Sequence, residues 1–430
     1  MNLISFKSRL STFNFATEKT AINYLLLQKR LLSICLFNFF LLSLLGLLLR
    51  AYPIHSIPFF TYKNLLHAHS HFAFGGWVTP VLIYLILRFF PDVQTNSTYY
   101  HWRNIITLLL VSAYGMLLSF PFQGYGVVSI VFSTLSIAAG FYAGIIIRAA
   151  VKPKFFLSSS SFLQAGFLYF ALSAIGPFAT APLIALGKAG TPLYYNAIYF
   201  YLHFQYNGFF TFIVLAVVYK IIERRKSFNH GKLVFRLMNM ACIPAYALSI
   251  LWTQPSILLN ITGGVAALLQ LTAIFFLLKD IKGLEWGKGI QRRLFQISIF
   301  AFIVKSLLQL LSALPLVADL AYQNRNFVIA YLHLVLIGFI SVFVFSVIAR
   351  SISYGRLLHN GILAFLFAFI STELLLVFQA AGYLEALPSH SYVHLLFWFS
   401  IFFPAGLLLL FIAHLKQTSH LIAFTHKFQS

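Results

Sequence analysis

The sequence has few acidic side chains, few cysteines and little charge of either sign. Only 8 of its 430 residues are Asp or Glu, and charged residues make up 9% of the chain. The two cysteines, Cys35 and Cys242, lie far apart and form no CxxC or CxxCH motif. A disulfide framework, a thiolate metal site and a covalently attached c-type haem are therefore not supported.

Long apolar runs dominate instead. Hydrophobic residues form 60% of the chain, and the mean hydropathy is +0.87, outside the range of a soluble globular protein of this length. Twelve runs can be drawn that are long enough to cross a bilayer as helices, although two are short enough that eleven is an alternative. They lie at 31–49, 67–89, 105–120, 127–148, 162–186, 197–219, 237–253, 257–278, 295–314, 327–349, 362–383 and 393–415.

These runs predict an all-α, polytopic membrane protein. We expect a single transmembrane domain over 31–415, preceded by a cytoplasmic N-terminal segment over 1–30 and followed by a cytoplasmic C-terminal tail over 416–430. No cleavable signal peptide is evident, because about 30 polar and basic residues precede the first apolar run.

The excess of basic residues, which gives a net charge of +22, follows the membrane topology. With the N-terminus in the cytoplasm, all but five of the 30 Lys and Arg residues fall in cytoplasmic segments; the exceptions are Arg50, Lys63, Lys188, Lys305 and Arg325. This distribution is the positive-inside rule, and it places both termini in the cytoplasm of a cell with the chain in its inner (plasma) membrane. Anionic lipid head groups are the expected partner of this charge, and nucleic acid is not.

Six histidines lie at a similar depth, within roughly 10 Å of the outer boundary at 1.5 Å per residue. They are His67, His69 and His71 in the second run, His203 in the sixth, His333 in the tenth and His394 in the twelfth. Polar side chains inside the hydrocarbon are costly, so several at one level indicate a function. For any single one, an interfacial imidazole bonded to a carbonyl or to water is the alternative.

The three histidines of the second run cannot all bind one metal. In a helix, His67 and His71 share a face, whereas His69 points about 200° away from it. Neutral imidazole binds zinc, copper or haem iron. A zinc enzyme normally includes a carboxylate or an HExxH pair, and acidic residues are nearly absent here. We therefore favour a haem held by two histidines from different helices, with haem b expected because no covalent attachment motif exists.

With these residues, the chain resembles subunit I of the haem-copper oxidases, most closely the branch of the C-type oxidases and nitric oxide reductases. "HAHSHFAFGG" is similar to the family motif in helix 2 that supplies a low-spin haem ligand. "YLHLVLIG" is similar to the helix 10 motif H-x-H, with His333 at the position of the low-spin ligand and Tyr331 in place of the other histidine. "YLHFQYNGFF" is similar to the helix 6 motif of a copper ligand, here His203.

The resemblance implies a subunit I-like bundle carrying a bis-His low-spin haem between His333 and a histidine of helix 2. Electrons would come from a cytochrome c or a quinol, oxygen or nitric oxide would be reduced, and further oxidase-type subunits would be partners. Ser256 and Ile257 stand where the family has a His-His pair for copper, which argues against a copper site. Whether His203 or His394 holds a second, high-spin haem stays open.

Four other residues are candidates for the same site. Tyr331 is a candidate for a hydrogen bond near the haem and Arg325 for pairing with a propionate, although both are also ordinary residues of a membrane interface. Lys305 and Glu373 lie deep in their helices and form either one ion pair or part of a proton path. Two other functional classes remain: a non-catalytic haem- or copper-binding sensor or assembly protein, and a secondary transporter that uses Lys305 and Glu373.

Overall fold

Helices make up the whole of the regular structure in the part of the chain that the computed structural model describes, which is residues 15–55, 57–151, 157–225, 229–254, 256–349, 355–384 and 388–426. Within those ranges eleven helices are long and apolar enough to cross a membrane; α7 and an unnumbered helix at Pro315–Gln323 are shorter. In chain order the helices are α1 (Lys19–Ala51), α2 (Tyr62–Phe89), α3 (Asn96–Gln123), α4 (Val127–Ala150), α5 (Ser158–Ala185), α6 (Pro192–Glu223), α7 (Gly231–Cys242), α8 (Ile257–Ile281), α9 (Ile290–Leu311), α10 (Arg325–Ile348), α11 (Arg356–Ala380) and α12 (Ser391–Gln417).

The seventh predicted run is helical but not one continuous α-helix. After α7 the backbone tightens into 3₁₀ turns over Pro244–Ser249 and Leu251–Thr253. Pro244 has no amide hydrogen, so the α-helical hydrogen bonding stops there. The backbone N–H of Tyr246 then donates to Ile243 O at 3.1 Å, three residues back instead of four.

This broken segment nevertheless runs the full length of α6, its antiparallel neighbour. At one end Asp280, in the last turn of α8, accepts hydrogen bonds from the Tyr219 hydroxyl of α6 at 3.0 Å and from the His230 N–H at 2.9 Å. At the other end Tyr246 and Trp252 donate to Asn196, near the start of α6, at 2.9 and 3.1 Å. The chain therefore crosses the bundle between α6 and α8, and the predicted all-α membrane bundle is confirmed.

The three helices that carry the predicted ligands share an unusual backbone. In α2, α6 and α10 a π-helical segment begins within two residues of a histidine: Ala73–Val78, Phe204–Phe210 and Leu334–Ser341. The π segment of α10 contacts those of both α2 and α6, and the Trp77 indole donates to Ser341 Oγ at 2.9 Å. π-helical segments are rare and concentrate at functional sites, so these three segments indicate where a functional site lies.

A glycine lies five residues after a histidine in each of these helices, at Gly76, Gly208 and Gly338. At the last two, the neighbouring helix leaves no room for a side chain. A Cβ on Gly208 would lie 2.6 Å from Tyr169 Cβ, and one on Gly338 would lie 2.8 Å from Phe369 Cζ. Close approach of helices at the π segments therefore requires glycine.

Packing differs between the two halves of these helices. In their C-terminal halves, every residue of Thr79–Leu87, Thr211–Tyr219 and Val342–Ile348 is buried. In the N-terminal halves of α6 and α10, Pro192–His203 buries only His203, and Arg325–His333 buries only Ala330. The dense core therefore surrounds the C-terminal halves, and His203 and His333 lie at the border of the more open part.

Candidate functional site

The histidines of α2 face two different neighbours, as their helical spacing predicts. His71 stacks on Phe120 of α3 with ring centroids 4.3 Å apart, and its Nε2 is 3.0 Å from the Tyr125 hydroxyl. His67 lies on the same side, with its ring 4.6 Å from that of Tyr125. His69 faces α1 instead: a Cβ on Gly46 would lie only 3.2 Å from His69 Cε1.

His333 is held by a carboxylate. Its Nδ1 lies 2.9 Å from Oε1 of Glu373 in α11. The side chains of His333 and Glu373 keep 26% and 15% of their surface accessible, so the pair is not closed off by its neighbours. A carboxylate that accepts a hydrogen bond from Nδ1–H keeps the proton on Nδ1 and leaves the Nε2 lone pair available, which is the usual arrangement of a metal-bound histidine.

Four charged or ionisable side chains gather around this point. His69 has His333 and Arg50 as electrostatic neighbours, and Arg50 also interacts with Glu373. Arg50 lies four residues beyond Gly46 on α1, which is one turn toward the C-terminal end of that helix. The sequence analysis missed Arg50; its only signal is its position at the C-terminal end of an apolar run.

His203 occupies a different environment, although its sequence motif is similar. It is fully buried, and its Nε2 lies 2.8 Å from the carbonyl oxygen of Cys242 in α7. Its Nδ1 lies 3.1 Å from Nδ2 of Asn207, one turn along α6. Nε2 therefore donates to the carbonyl and Nδ1 accepts from the amide, so both ring nitrogens are engaged and neither is free for iron or copper.

The remaining candidates are spread over the bundle. Tyr331 points toward α6, with its ring 6.1 Å from that of Tyr206, and its buried hydroxyl forms no hydrogen bond. Arg325 is exposed at the first turn of α10 and has Tyr199 of α6 as an electrostatic neighbour. His394 is exposed on α12. The structure therefore does not bring Arg325 and His394 into the group formed by His69, His333, Glu373 and Arg50.

Lys305 and Glu373 do not form the ion pair that was one of the two alternatives for them. Glu373 bonds His333, whereas Lys305 Nζ is 3.4 Å from Oε1 of Gln270 in α8. Lys305 is 1% exposed and belongs to a buried polar region that also includes Gln309, whose Nε2 is 3.5 Å from Asn207 Oδ1. Their interpretation as one salt bridge that fixes helix packing is wrong.

The two positions expected to carry a copper-binding pair lie at a helix terminus. Ser256 is the N-cap of α8, with its Oγ 3.3 Å from the Leu258 amide, and Ile257 is 61% exposed. Among the described residues, no group of three or more His, Cys, Asp and Glu side chains is placed to hold a metal ion. The candidate site instead contains two imidazoles from different helices, His69 of α2 and His333 of α10, which are electrostatic neighbours.

The donor set around His69 and His333 fits a haem iron. One imidazole has its Nδ1 on a carboxylate, the other packs against a glycine of α1, and a cation lies one turn further out. A low-spin haem would be held by two imidazole nitrogens without a carboxylate ligand, and an arginine can pair with its propionates.

Comparison with known proteins shows the fold alone. No family model matches the chain, and no curated protein matches it. Among solved structures, it is similar to a haem-copper terminal oxidase determined by cryo-EM as a dimer, at 12% sequence identity with a TM-score of 0.64. The match covers 96% of this chain and 84% of that one. The chain is thus a multi-pass helical membrane protein with the fold of a haem-copper oxidase subunit.

Proposed function

We propose that this protein is an integral membrane redox protein that holds a low-spin haem b between His69 and His333 and transfers electrons through it. The observation that carries the proposal is the hydrogen bond between His333 Nδ1 and Glu373, which leaves Nε2 free, together with the position of His69 as an electrostatic neighbour of His333. Of the three histidines on α2, we assign the ligand to His69, since His67 and His71 face α3.

The function follows from the number of ligands. A haem with imidazole on both faces has no open position, so it exchanges electrons and does not bind oxygen directly. Glu373 accepts the Nδ1–H of His333, fixes the tautomer and makes the ring a stronger ligand. Arg50 replaces Arg325 as the proposed partner of a propionate, since it shares electrostatic contacts with His69 and Glu373.

The similarity to a terminal oxidase supports, as a further part of the proposal, coupling to the reduction of oxygen or nitric oxide. A cytochrome c or a quinol would donate the electrons, other oxidase-type subunits would assemble with the chain, and the plasma membrane would hold it with both termini in the cytoplasm. The C-type and nitric oxide reductase branch remains the expected relationship from the motifs. A second haem or a copper site is not part of the proposal, because both nitrogens of His203 are engaged.

A second candidate function is a haem-binding sensor or assembly protein with no catalytic centre. The engagement of His203 and the positions of Ser256 and Ile257 favour it, since a reactive centre needs an open metal position. The transporter hypothesis needs Lys305 and Glu373 on one path, and no contact between them supports it, since Glu373 bonds His333 and Lys305 contacts Gln270.

Spectroscopy of the detergent-purified protein tests these proposals. We expect a reduced-minus-oxidised b-type band that carbon monoxide does not shift; a shift with carbon monoxide would indicate an open iron position and catalysis at this haem. His333→Ala should abolish the band while the protein stays in the membrane. His203→Ala is the matched control and should keep the band. An unchanged spectrum in His333→Ala, or no band in the unmodified protein, would refute the assignment.

A further inference from the structure

Two histidines of α2 lie outside the proposed haem site and share one face of their helix. His67 and His71 are four residues apart, and they are electrostatic neighbours. Histidines at i and i+4 on one helical face can bind the same ion, because one turn of the helix brings their imidazoles side by side. This face of α2 packs toward α3, whereas His69 packs against α1. The pair is therefore separate from the proposed haem ligand.

A tyrosine from the loop between α3 and α4 lies over this pair. The ring centroid of Tyr125 is 4.6 Å from that of His67 and 5.6 Å from that of His71. Its hydroxyl oxygen is 3.0 Å from Nε2 of His71. In a tetrahedral site with metal–ligand bonds of about 2.0–2.1 Å, neighbouring ligand atoms are about 3.3 Å apart. This oxygen and this nitrogen are therefore close to the spacing of two ligands of one ion.

The turn that carries Tyr125 is fixed against α2. Gly124 has a φ of +57°, which residues with a side chain rarely adopt, and a Cβ there would lie 2.6 Å from Asn64 Oδ1 of α2. Gly126, on the other side of the tyrosine, is the N-cap of α4. The Ser129 hydroxyl donates to the Gly124 carbonyl oxygen. The backbone therefore holds the tyrosine beside the two histidines.

One nitrogen of the pair has no partner. Nε2 of His67 is buried and forms no hydrogen bond with the described residues. An unpaired buried polar atom costs about 1–3 kcal/mol, and a bound ion or water is an ordinary way to satisfy it. Tyr125 is 51% exposed, so the group is open on the tyrosine side. A metal ion can therefore enter there and keep one position for water.

We propose that His67, His71 and Tyr125 bind one zinc ion, through Nε2 of each histidine and the tyrosine oxygen, with water as the fourth ligand. Neutral imidazole suits Zn²⁺, whereas Ca²⁺ and Mg²⁺ prefer a shell made of oxygen atoms. Three protein ligands and one water are the usual arrangement of an accessible zinc site. The inference does not depend on the haem, because His69 points about 200° away from His67 on the same helix.

Zinc binding by the detergent-purified full chain tests this site. The protein is produced without a histidine tag, treated with EDTA and dialysed against ZnCl₂ in the presence of excess Mg²⁺, and its metal content is measured by inductively coupled plasma mass spectrometry. We expect one tightly bound zinc per chain. His67→Ala and His71→Ala should each weaken zinc binding by about tenfold or more, since each removes one ligand. His55→Ala, at an exposed histidine between α1 and α2, is the matched control and should bind zinc normally.

Two further measurements separate coordination from a loss of packing. Tyr125→Phe keeps the ring against both imidazoles and removes only the hydroxyl, and we expect it to weaken zinc binding by about tenfold. Zinc X-ray absorption spectroscopy should show two imidazoles and no sulfur in the wild type, and one imidazole in His71→Ala.

Unchanged zinc affinity in Tyr125→Phe or in the double variant His67→Ala with His71→Ala would overturn the proposal, as would sulfur or fewer than two imidazoles in the wild-type spectrum. A haem band has no bearing on these outcomes, so zinc bound in this way by a protein without haem supports the zinc site and refutes only the proposed function.

Discussion

His333 on α10 and His203 on α6 begin from nearly the same sequence and backbone. Each follows Tyr-Leu, each ends an α-helical stretch, each precedes a π segment, and each has a glycine five residues later. Their surroundings differ. His333 meets a carboxylate at Nδ1 and keeps Nε2 free, whereas His203 gives Nε2 to a backbone carbonyl and Nδ1 to an amide.

The shared sequence motif sets the position of each histidine along its helix and the backbone geometry around it. The helix packed against the histidine then decides whether its imidazole can bind a metal or only supports the packing. An acceptor on Nδ1 prepares imidazole for a metal, and an acceptor on Nε2 removes the nitrogen that most often binds one. Within α2 the neighbouring helix also differs from one histidine to the next: His69 packs against Gly46 of α1, whereas His71 stacks on Phe120 of α3.

The largest effect is expected from His69→Ala, which removes one of the two proposed axial ligands. We expect the purified protein to lose its b-type band, with the haem-to-protein ratio falling by about tenfold or more. His71→Ala should keep the ratio, since that ring stacks on Phe120 of α3. The pyridine haemochrome assay measures both. Loss of haem in His71→Ala and retention in His69→Ala would reverse the assignment.

Glu373→Gln tests the role of the carboxylate that bonds Nδ1 of His333. Loss of the charge on Nδ1 weakens the ligand, and we expect haem retention to fall by about 10–100-fold, as is typical when such a partner is removed. Competition with apomyoglobin measures the retention. The comparison variant is Glu223→Gln, whose carboxylate bonds Ser159 and lies away from the site. Equal retention in wild type and Glu373→Gln would show that the bond to His333 does not support a ligand.

His203→Ala should lower stability and leave the haem in place. It removes two buried hydrogen bonds and leaves the Asn207 amide and the Cys242 carbonyl unpaired, a loss of about 1–3 kcal/mol. Thermal unfolding in detergent, followed by tryptophan fluorescence, gives the change in Tm, and the visible spectrum gives the haem content. A stable His203→Ala variant without haem would place His203 among the ligands.

The smallest effect is expected from Gly46→Ala. The added methyl would lie 3.2 Å from His69 Cε1, so the ring has to shift by a few tenths of an ångström. We expect a bound haem with an altered low-spin electron paramagnetic resonance spectrum and little change in Tm. Gly144→Ala, with its nearest contact at 3.3 Å from Phe167, is the control that should keep the wild-type spectrum.

The fold could be predicted from the sequence because the lengths of the apolar runs and the distribution of basic residues are properties of the chain that do not depend on how the helices pack. The opposite faces of His69 and His67 were also predictable, since both lie on one helix with a fixed angle per residue. The bond from His333 to Glu373 was not, because it depends on how α10 and α11 are rotated against each other. Arg50 was missed for the same reason: its relation to His69 arises only when α1 packs on α2.

The break at Pro244 has a consequence on another helix. In an unbroken α-helix the amide of Tyr246 would bond the Cys242 carbonyl; here it turns to Ile243, and the vacated oxygen receives the ring of His203. The 3₁₀ turn that begins at Pro244 thus leaves free the carbonyl oxygen that bonds the His203 ring of α6. Nε2 of His333 forms no hydrogen bond with the described residues, so this nitrogen stays available to a metal.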